Sequence, residues 1–437
     1  MHILYVSQYF PPEMGAPAAR VAELAEHWAR AGHSVSILTG FPNHPTGVVP
    51  TEWRPRLRRL ICQERISPKC ESAEAEIRGP KTEVRPVDIY RTWLWPLPNR
   101  KAHERIRNYT SFFLSAGVRG LALPRPDVII ATSPQLLVGL AGRWLAFARQ
   151  VPFVFEVRDL WPESLTAVGA SDANSMLHQS LAAIAGFLYA RADRIVVVTP
   201  AFREHLVRNW AVSAEKIAVV ENGVETDLFA PQPESSDASL RRELKAEGRF
   251  LVCYIGTLGM AHGLETLLEA AGQLQHSAPQ ILFLIIGEGA EKERIQSQAN
   301  SSGLANIKFL DQQPREKIPA FISASDACLV LLKKTDVFKT VIPTKLLEFM
   351  SCARPVVLGV EGQARKILEE AQAGIAIEPE NARALADAIQ QMAADSVCRR
   401  TLGFNGRKYV IEKLSRRTTA QKYLQVLDEV LVQTRQG

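Results

Sequence analysis

The sequence predicts an α/β protein of two Rossmann-like domains, each built on a parallel sheet, facing one another across a cleft. Three observations carry that expectation. A chain of 437 residues is too long for one hydrophobic core. Short apolar runs alternate with helical patterns twice over, once on each side of residue 231. Between the halves lies PQPESSDASLRRELKAE, residues 231–247, a polar stretch that reads as a linker running into a short helix. The expected division is 1–230, 231–410, and a helical stretch, 411–437, returning to the first domain.

The first half opens on a strand, His2–Ser7. MHILYVSQYF lacks the basic start and cleavage site of a secretory signal. A loop rich in Pro and Gly, residues 8–17, leads to a helix at Ala18–Arg30, where Val21, Leu24, Ala25 and Trp28 recur at helical spacing. Gly32 ends it, and Ser34–Thr39 is the second strand. The loop has no G-x-G-x-x-G, so the dinucleotide fingerprint is absent. Gly15 reads two ways, as a close approach by a ligand or as turn chemistry.

Residues 42–86 read as an irregular insertion holding a short ribbon, and Val87–Trp93 as the next strand. The segment 91–125 then changes character. Ile106, Tyr109, Phe113, Gly117 and Leu121 are expected on one helical face, with Arg100, Lys101, Arg105 and Arg107 crowding the start. Basic residues beside Trp93, Trp95, Phe112 and Phe113 suit contact with the inner membrane surface. The same pattern suits a packed core helix with a solvated basic end. Nucleic acid is not expected, because no RNA-binding signature accompanies the charge.

Asp127–Thr132 is a strand, Gln135–Ala148 a helix, and Pro152–Val157 a strand that runs into Arg158-Asp159-Leu160-Trp161-Pro162-Glu163. Charges at the carboxyl end of a parallel strand stand where open α/β sheets bind ligands. Glu156, Arg158, Asp159 and Glu163 therefore read as a site, with a buried structural ion pair as the alternative. A helix over 175–190, strand Arg194–Val198, helix Pro200–Asn209 and strand Ile217–Val220 complete this half.

The second half places strands at Phe250–Ile255, Ile281–Ile286, Ile307–Leu310, Ala327–Leu332, Pro355–Leu358 and Gly374–Ile377, with helices between them. Each is short, apolar and flanked by turn residues, as buried parallel strands are. A final amphipathic run covers 396–431. Within this half, KTDVFKTVIPTKLLEFMSCARPVVLG, residues 334–359, carries the densest chemistry. Pro343 suits the start of a helix, and Thr344 is its expected N-cap. Lys345 then stands beside free N–H groups at the positive end of the helix, a ready anion site. Glu348 lies one turn on, within reach of a polyol attached to that anion. The same residues also suit an ordinary capped helix with a surface Glu.

Composition bounds the rest. Hydrophobic content of 46% and charged content of 22% are those of a globular protein. No apolar run approaches the ~18 residues a spanning helix needs. Six Cys match no zinc or redox spacing, so a reducing cytoplasm fits, peripheral on the inner face of the cytoplasmic membrane if 91–125 is a contact. Residues 51–125 hold 16 Lys/Arg and 8 Asp/Glu, more than the whole chain's excess of +6, which suggests a local anionic partner.

Taken together, PPEMGAPAAR, VVENGVETDLFAP, IIGEGAEKERI, NIKFLDQQPREKIPAFISASDACLV and PTKLLEFMSCARPVV resemble the retaining glycosyltransferases of family 4, which have the GT-B fold. The likeness covers nearly the whole chain. ATSPQLLVGLAG, FEVRDLWPES, YIGTLGMAHGLETL and KTVIPTKLLEFM look most like the WbuB-type group, which builds bacterial surface polysaccharides such as O-antigen and capsule and includes N-acetyl-L-fucosaminyltransferases. Three departures stand out. Gly256-Thr257 and His262-Gly263 replace the family's diphosphate-holding pair. Thr340 stands where the first Glu of E-x7-E belongs. Arg158 replaces a histidine.

The resemblance implies transfer from a UDP-sugar to a sugar acceptor; the absent first Glu suits a deoxy or acetamido sugar, and the basic, aromatic segment 91–125 suits a polyprenyl-diphosphate-linked acceptor. The first domain would bind the acceptor and the second the nucleotide sugar. Arg158, Asp159 and Lys345 would be catalytic. Gly15, Gly256, Thr257, His262, Gly287, Glu288, Gly289, Pro343, Thr344 and Glu348 would bind the donor. No Asp-x-Asp occurs, so no metal and no cofactor is expected. The competing readings are a UDP-sugar 2-epimerase and a non-catalytic sugar-nucleotide binding protein.

Overall fold

The computed structural model describes the chain apart from residues 14, 44–45, 58–59, 68–83, 99–101, 168–174 and 437. Arg100 and Lys101, the expected basic start of the 91–125 segment, lie outside the described residues. The chain divides into two compact units, Met1–Glu221 with Thr419–Gly437, and Asn222–Thr418.

The first unit holds β1 (His2–Val6), β2 (Ser34–Gly40), β3 (Ile61–Ile66), β4 (Val87–Thr92), β5 (Val128–Thr132), β6 (Phe153–Val157), β7 (Arg194–Val197) and β8 (Ile217–Val219). They form one sheet in the order β3-β4-β2-β1-β5-β6-β7-β8. All described pairs are parallel except β3 on β4, the ribbon of the insertion. Apart from His2 at the start of β1, the central strands β1, β5 and β6 are buried throughout, which is why they read as apolar runs.

One face of this sheet is covered by α1 (Ala16–Arg30), through Val21, Leu24 and Trp28, together with Tyr423, Leu427 and Val430 of the 419–437 segment. The expected run 396–431 is thus two helices, Ser396–Lys413 and Arg416–Gln436. The break is fixed by hydrogen bonds: Val224 N–H donates to the Leu414 carbonyl and Arg416 N–H to the Val224 carbonyl, at 3.1 and 2.8 Å.

On the sheet's other side, α2 (Ala102–Leu121) packs against α3 (Leu136–Arg149). The buried face of α2 runs through Asn108, Phe112, Ala116 and Gly120, not through the expected Ile106 and Leu121, which are exposed. Two causes turn the helix. Gly120 admits Leu145 so closely that a Cβ there would lie 2.4 Å from its Cδ1. Asn108 is drawn inward, donating to the Trp95 carbonyl at 2.8 Å and accepting from Gln8 Nε2.

The second unit holds β9 (Phe250–Ile255), β10 (Ile281–Ile286), β11 (Ile307–Leu310), β12 (Ala327–Leu331), β13 (Val356–Gly359) and β14 (Gly374–Ala376). Its all-parallel sheet runs β11-β10-β9-β12-β13-β14. Leu251, Cys253 and Ile255 face one side, and Val252 and Tyr254 the other. The expected limits at 230/231 and 410/411 move for a packing reason. Val224 and Phe229 are already buried in this unit's core. The expected linker is α4 (Glu234–Glu243), held by Arg241 on Asp326 at 2.6 Å and Asp237 on Arg354 at 3.3 Å.

Candidate functional site

In the second unit, two strand ends and one helix start carry the expected donor residues. β9 ends in Gly256-Thr257, β10 in Gly287-Glu288-Gly289, and α5 (Thr344–Ser351) begins after Pro343. The first two turns are laced together. Gly256 N–H donates to the Ile286 carbonyl and Leu258 N–H to the Glu288 carbonyl, both at 2.9 Å. A Cβ on Gly287 would lie 1.9 Å from the Gly256 carbonyl oxygen, and one on Gly289 2.2 Å from that of Leu258. Both have φ near +155°, so side chains are excluded by contact and by conformation. The Glu288 carboxylate turns to Lys292 at 2.5 Å, which also reaches Asp311.

Pro343, not Thr344, occupies the N-cap, and no side chain caps the helix. The fixed φ of proline and its carbonyl, which accepts from Leu346 N–H at 3.1 Å, start the first turn and leave Thr344 inside it. Leu346, Leu347, Phe349 and Met350 are fully buried and anchor the helix. Its other face carries Lys345 and Glu348.

Lys345 is the unusual group. Its ammonium is buried with no hydrogen-bond partner, and it sits 4.0 Å over the Tyr254 ring. A Cβ on Gly256 would come within 2.9 Å of Nζ, so the amine lies against the bare backbone of that turn. Burial pushes its pKa down to about 7, against the opposing pull of Glu348 and Cys253. His262 is lowered to about 3, by burial first and by Lys345 next, and so is neutral; its Nδ1 lies 3.4 Å from the Leu331 carbonyl. Glu348 pairs with Arg315 at 3.1 Å. The uncapped helix start and the unmatched ammonium give this end of the sheet positive potential suited to a diphosphate, with the neutral His262 imidazole beside them.

In the first unit, Arg158 and Asp159 follow β6, and both of their N–H groups donate to Ser133 Oγ, at 2.8 and 3.3 Å. Nε and Nη1 of Arg158 are buried without partners. Burial raises Asp159 to about 6, with Arg158 opposing. Glu156 beside them is fully engaged: Arg20 donates to Oε1 through Nε at 3.0 Å and Nη2 at 2.9 Å, and the Tyr5 hydroxyl donates to Oε2. Burial would raise this carboxyl, but Arg20, Arg158 and the Tyr5 hydrogen bond together hold it below the usual range. Glu163 does not join the cluster. It is taken up by His205 at 2.9 Å and Trp210 Nε1 at 3.0 Å. Gly15 is the N-cap of α1.

The second unit thus brings Gly256, Thr257, His262, Gly287, Gly289, Pro343 and Lys345 to one end of its sheet, and the first brings Arg158 and Asp159 to the end of β6. Sequence reasoning missed Tyr254, which floors the Lys345 amine and whose hydroxyl donates to the Thr257 carbonyl at 2.9 Å. A lone aromatic in a strand gives no signal of that. It also missed Arg20 and Tyr5, whose link to Glu156 spans over 130 residues. Among the described residues, no group of three or more His, Cys, Asp or Glu is placed to hold a metal ion.

Comparison with known proteins follows the two units. The family profile described as "Glycosyl transferase 4-like domain" matches residues 15–223, and that described as "Glycosyl transferases group 1" matches 235–409. WcaI of Escherichia coli (strain K12), a glycosyl transferase named for colanic acid biosynthesis, is 24% identical over 402 residues, covering 90% of this chain and 92% of its own. Sucrose-phosphate synthase from Thermosynechococcus elongatus superposes with a TM-score of 0.73 at 22% identity, covering 99% of both chains. Anabaena HepE, solved in complex with UDP-glucose, gives 0.69 at 17% identity over 98% of this chain and 100% of its own.

Proposed function

Because the chain belongs to the glycosyltransferases, its first half matching the 4-like domain and its second half group 1, we propose that it transfers a sugar from a UDP-sugar to a lipid-linked acceptor in surface polysaccharide synthesis. Its solved neighbours have the GT-B architecture, and HepE was solved with UDP-glucose. WcaI, similar along nearly its whole length, is named as a glycosyl transferase of colanic acid biosynthesis. The observation that carries the proposal is the partnerless Lys345 ammonium beside the bare Gly256 backbone and the uncapped start of α5.

In this reading the bond between the anomeric carbon and the diphosphate oxygen breaks, and the electron pair leaves with the oxygen. The acceptor hydroxyl oxygen bonds to the same face of that carbon, and its proton passes to the departing diphosphate. Negative charge grows on the leaving group. Lys345 and the first-turn N–H groups meet it most strongly in the transition state. Gly287 and Gly289 let the backbone approach the nucleotide, and Glu348 binds ribose hydroxyls. Arg158 offers its two unpartnered N–H groups to an anionic group, and Asp159 accepts from a hydroxyl. Thr340 in place of a carboxylate suits a deoxy or acetamido sugar such as N-acetylfucosamine. The basic, aromatic segment 91–125 motivates the polyprenyl-diphosphate-linked acceptor.

The test is a screen of UDP-sugars against polyprenyl-diphosphate-linked acceptors, read by mass, with Lys345→Met beside the native protein. Transfer by the native protein and a loss of about 10²–10³ in the variant are expected. Normal turnover by Lys345→Met overturns the phosphate assignment. Conversion of a UDP-sugar with no acceptor present would favour an epimerase instead.

A further inference from the structure

Lys345 and its aromatic neighbour start from opposite faces of the second sheet. α5 packs through Leu346 and Leu347 on the face that carries Cys253 and Ile255, whereas Tyr254 lies on the other. The Lys345 side chain still brings its amine 4.0 Å over the Tyr254 ring. It crosses at the end of β9, where Gly256 has no side chain. A Cβ there would lie 2.9 Å from Nζ and 3.2 Å from Cε, and the φ of +142° is one that side chains rarely adopt. The bare backbone of Gly256 is the gap through which the lysine passes.

Tyr254 is itself held fast. It is almost fully buried, its hydroxyl donates to the Thr257 carbonyl at 2.9 Å, and the His262 imidazole meets its ring edge-on, centroids 6.1 Å apart. One side chain thus joins Thr257, His262 and Lys345. A fixed ring face is a particular kind of seat for a cation. It attracts an ammonium through its quadrupole but carries no charge of its own. A carboxylate in its place would neutralise the amine and compete with an arriving anion. Here Glu348, on the same helix as Lys345, is turned to Arg315 at 3.1 Å, and Nζ has no hydrogen-bond partner.

We propose that Tyr254 is a positioning residue for the phosphates of the nucleotide: its ring carries the Lys345 ammonium at the Gly256 backbone without neutralising it, and its hydroxyl pins the Thr257 turn alongside. The inference rests on the reading of a nucleoside diphosphate at this end of the second unit, and adds that binding is coupled to a proton. The groups around the amine are Glu348 with Arg315, Cys253, Tyr254 and His262. Burial brings the amine to about 7, keeps His262 neutral, and raises the Tyr254 hydroxyl so that it stays protonated. A diphosphate favours the charged amine, so above pH 7 its arrival draws a proton from solvent, and affinity falls as the pH climbs.

The test is calorimetry of UDP binding to the full chain at pH 8, in two buffers of different ionisation enthalpy. Uptake of about one proton per UDP is expected. Lys345→Met should bind more weakly and take up none. Tyr254→Phe keeps the ring, and should keep the proton uptake and bind within about threefold of the native chain. Tyr254→Leu, shown folded by circular dichroism, should bind about tenfold more weakly, and its affinity should begin to fall at a lower pH than that of the native chain. A merely structural role would lower the melting temperature and leave that pH unmoved. UDP binding by the native chain without proton uptake overturns the proposal whether or not any variant folds. So does Tyr254→Leu with native affinity and native pH dependence, or Tyr254→Phe losing as much as Tyr254→Leu. Binding without uptake leaves the nucleotide reading standing, whereas no UDP binding by the native chain sinks that reading and this inference together.

Discussion

At Lys345 the cost of a buried ammonium is set against its use. The amine titrates near 7 in the folded unit and near ~10.4 in an unfolded chain. Between those values the unfolded chain holds more protons, so this residue makes stability rise with pH across the window. Its full destabilising effect is present below about 7 and is gone by about 10.4. Lys345→Met should therefore raise the melting temperature at pH 7, and the gain should shrink as the pH climbs towards 10. A variant that melts lower at pH 7, with no trend, would mean that the amine is matched after all. The position of Lys345 was legible in sequence because proline, a following lysine and an apolar helical stripe mark a helix start. Its neighbours were not. Tyr254 lies 91 positions earlier, and the Arg20–Tyr5–Glu156 cluster joins three separated elements. Local pattern carries no trace of such pairings.

Among the elements, strands were read most closely where an apolar run is bracketed by turn residues. β9, β10 and β11 fall on their expected limits; β9 and β10 are buried on both faces and need no alternation to be recognised, and the half-buried edge strand β11 is bracketed by turn residues. The orientation of α2 was lost because Phe112 is joined on its inward side by Asn108, Ala116 and Gly120, while Ile106, Leu114 and Val118 are left exposed. Close packing through glycine reverses the usual rule that the greasiest stripe points in, and only the partner helix reveals it. The turn pair after β9 and β10 gives a sharper test. Gly287→Ala places a methyl against the Gly256 carbonyl at a φ that side chains avoid. It should destabilise the second unit by about 2–3 kcal/mol, measured as a shift in denaturant midpoint. It should also weaken UDP binding in calorimetry. An unchanged midpoint would show that the two turns can part without cost.

For the whole molecule, two parallel-sheet units were expected from length and from the repeated alternation, and two are observed. Their limits were harder to read, because composition marks α4 as solvated while its salt bridges and the burial of Phe229 attach it to the second sheet. The first unit is discontinuous in sequence. Tyr423 is fully buried against Trp28, their ring centroids 5.2 Å apart. Tyr423→Ala should cost about 3–5 kcal/mol. The loss should appear as faster hydrogen exchange in β1 and β5, with the amides of β9 and β10 unchanged. Equal acceleration in both sheets would argue that the units do not unfold separately.

That discontinuity also sets an order in time. As the chain leaves the ribosome, all eight strands of the first sheet emerge before the second unit begins, yet the helix that covers one of its faces does not. Tyr423, Leu427 and Val430 follow roughly 200 residues later, a wait of about 10–40 s at ~5–20 residues per second. During that interval the apolar face around Ile3, Tyr5 and Trp28 stands open. The second unit meanwhile emerges with its own ends brought together at Val224 and Ser415, so the later unit is free to close first. The earlier one is finished only when residues 419–437 arrive.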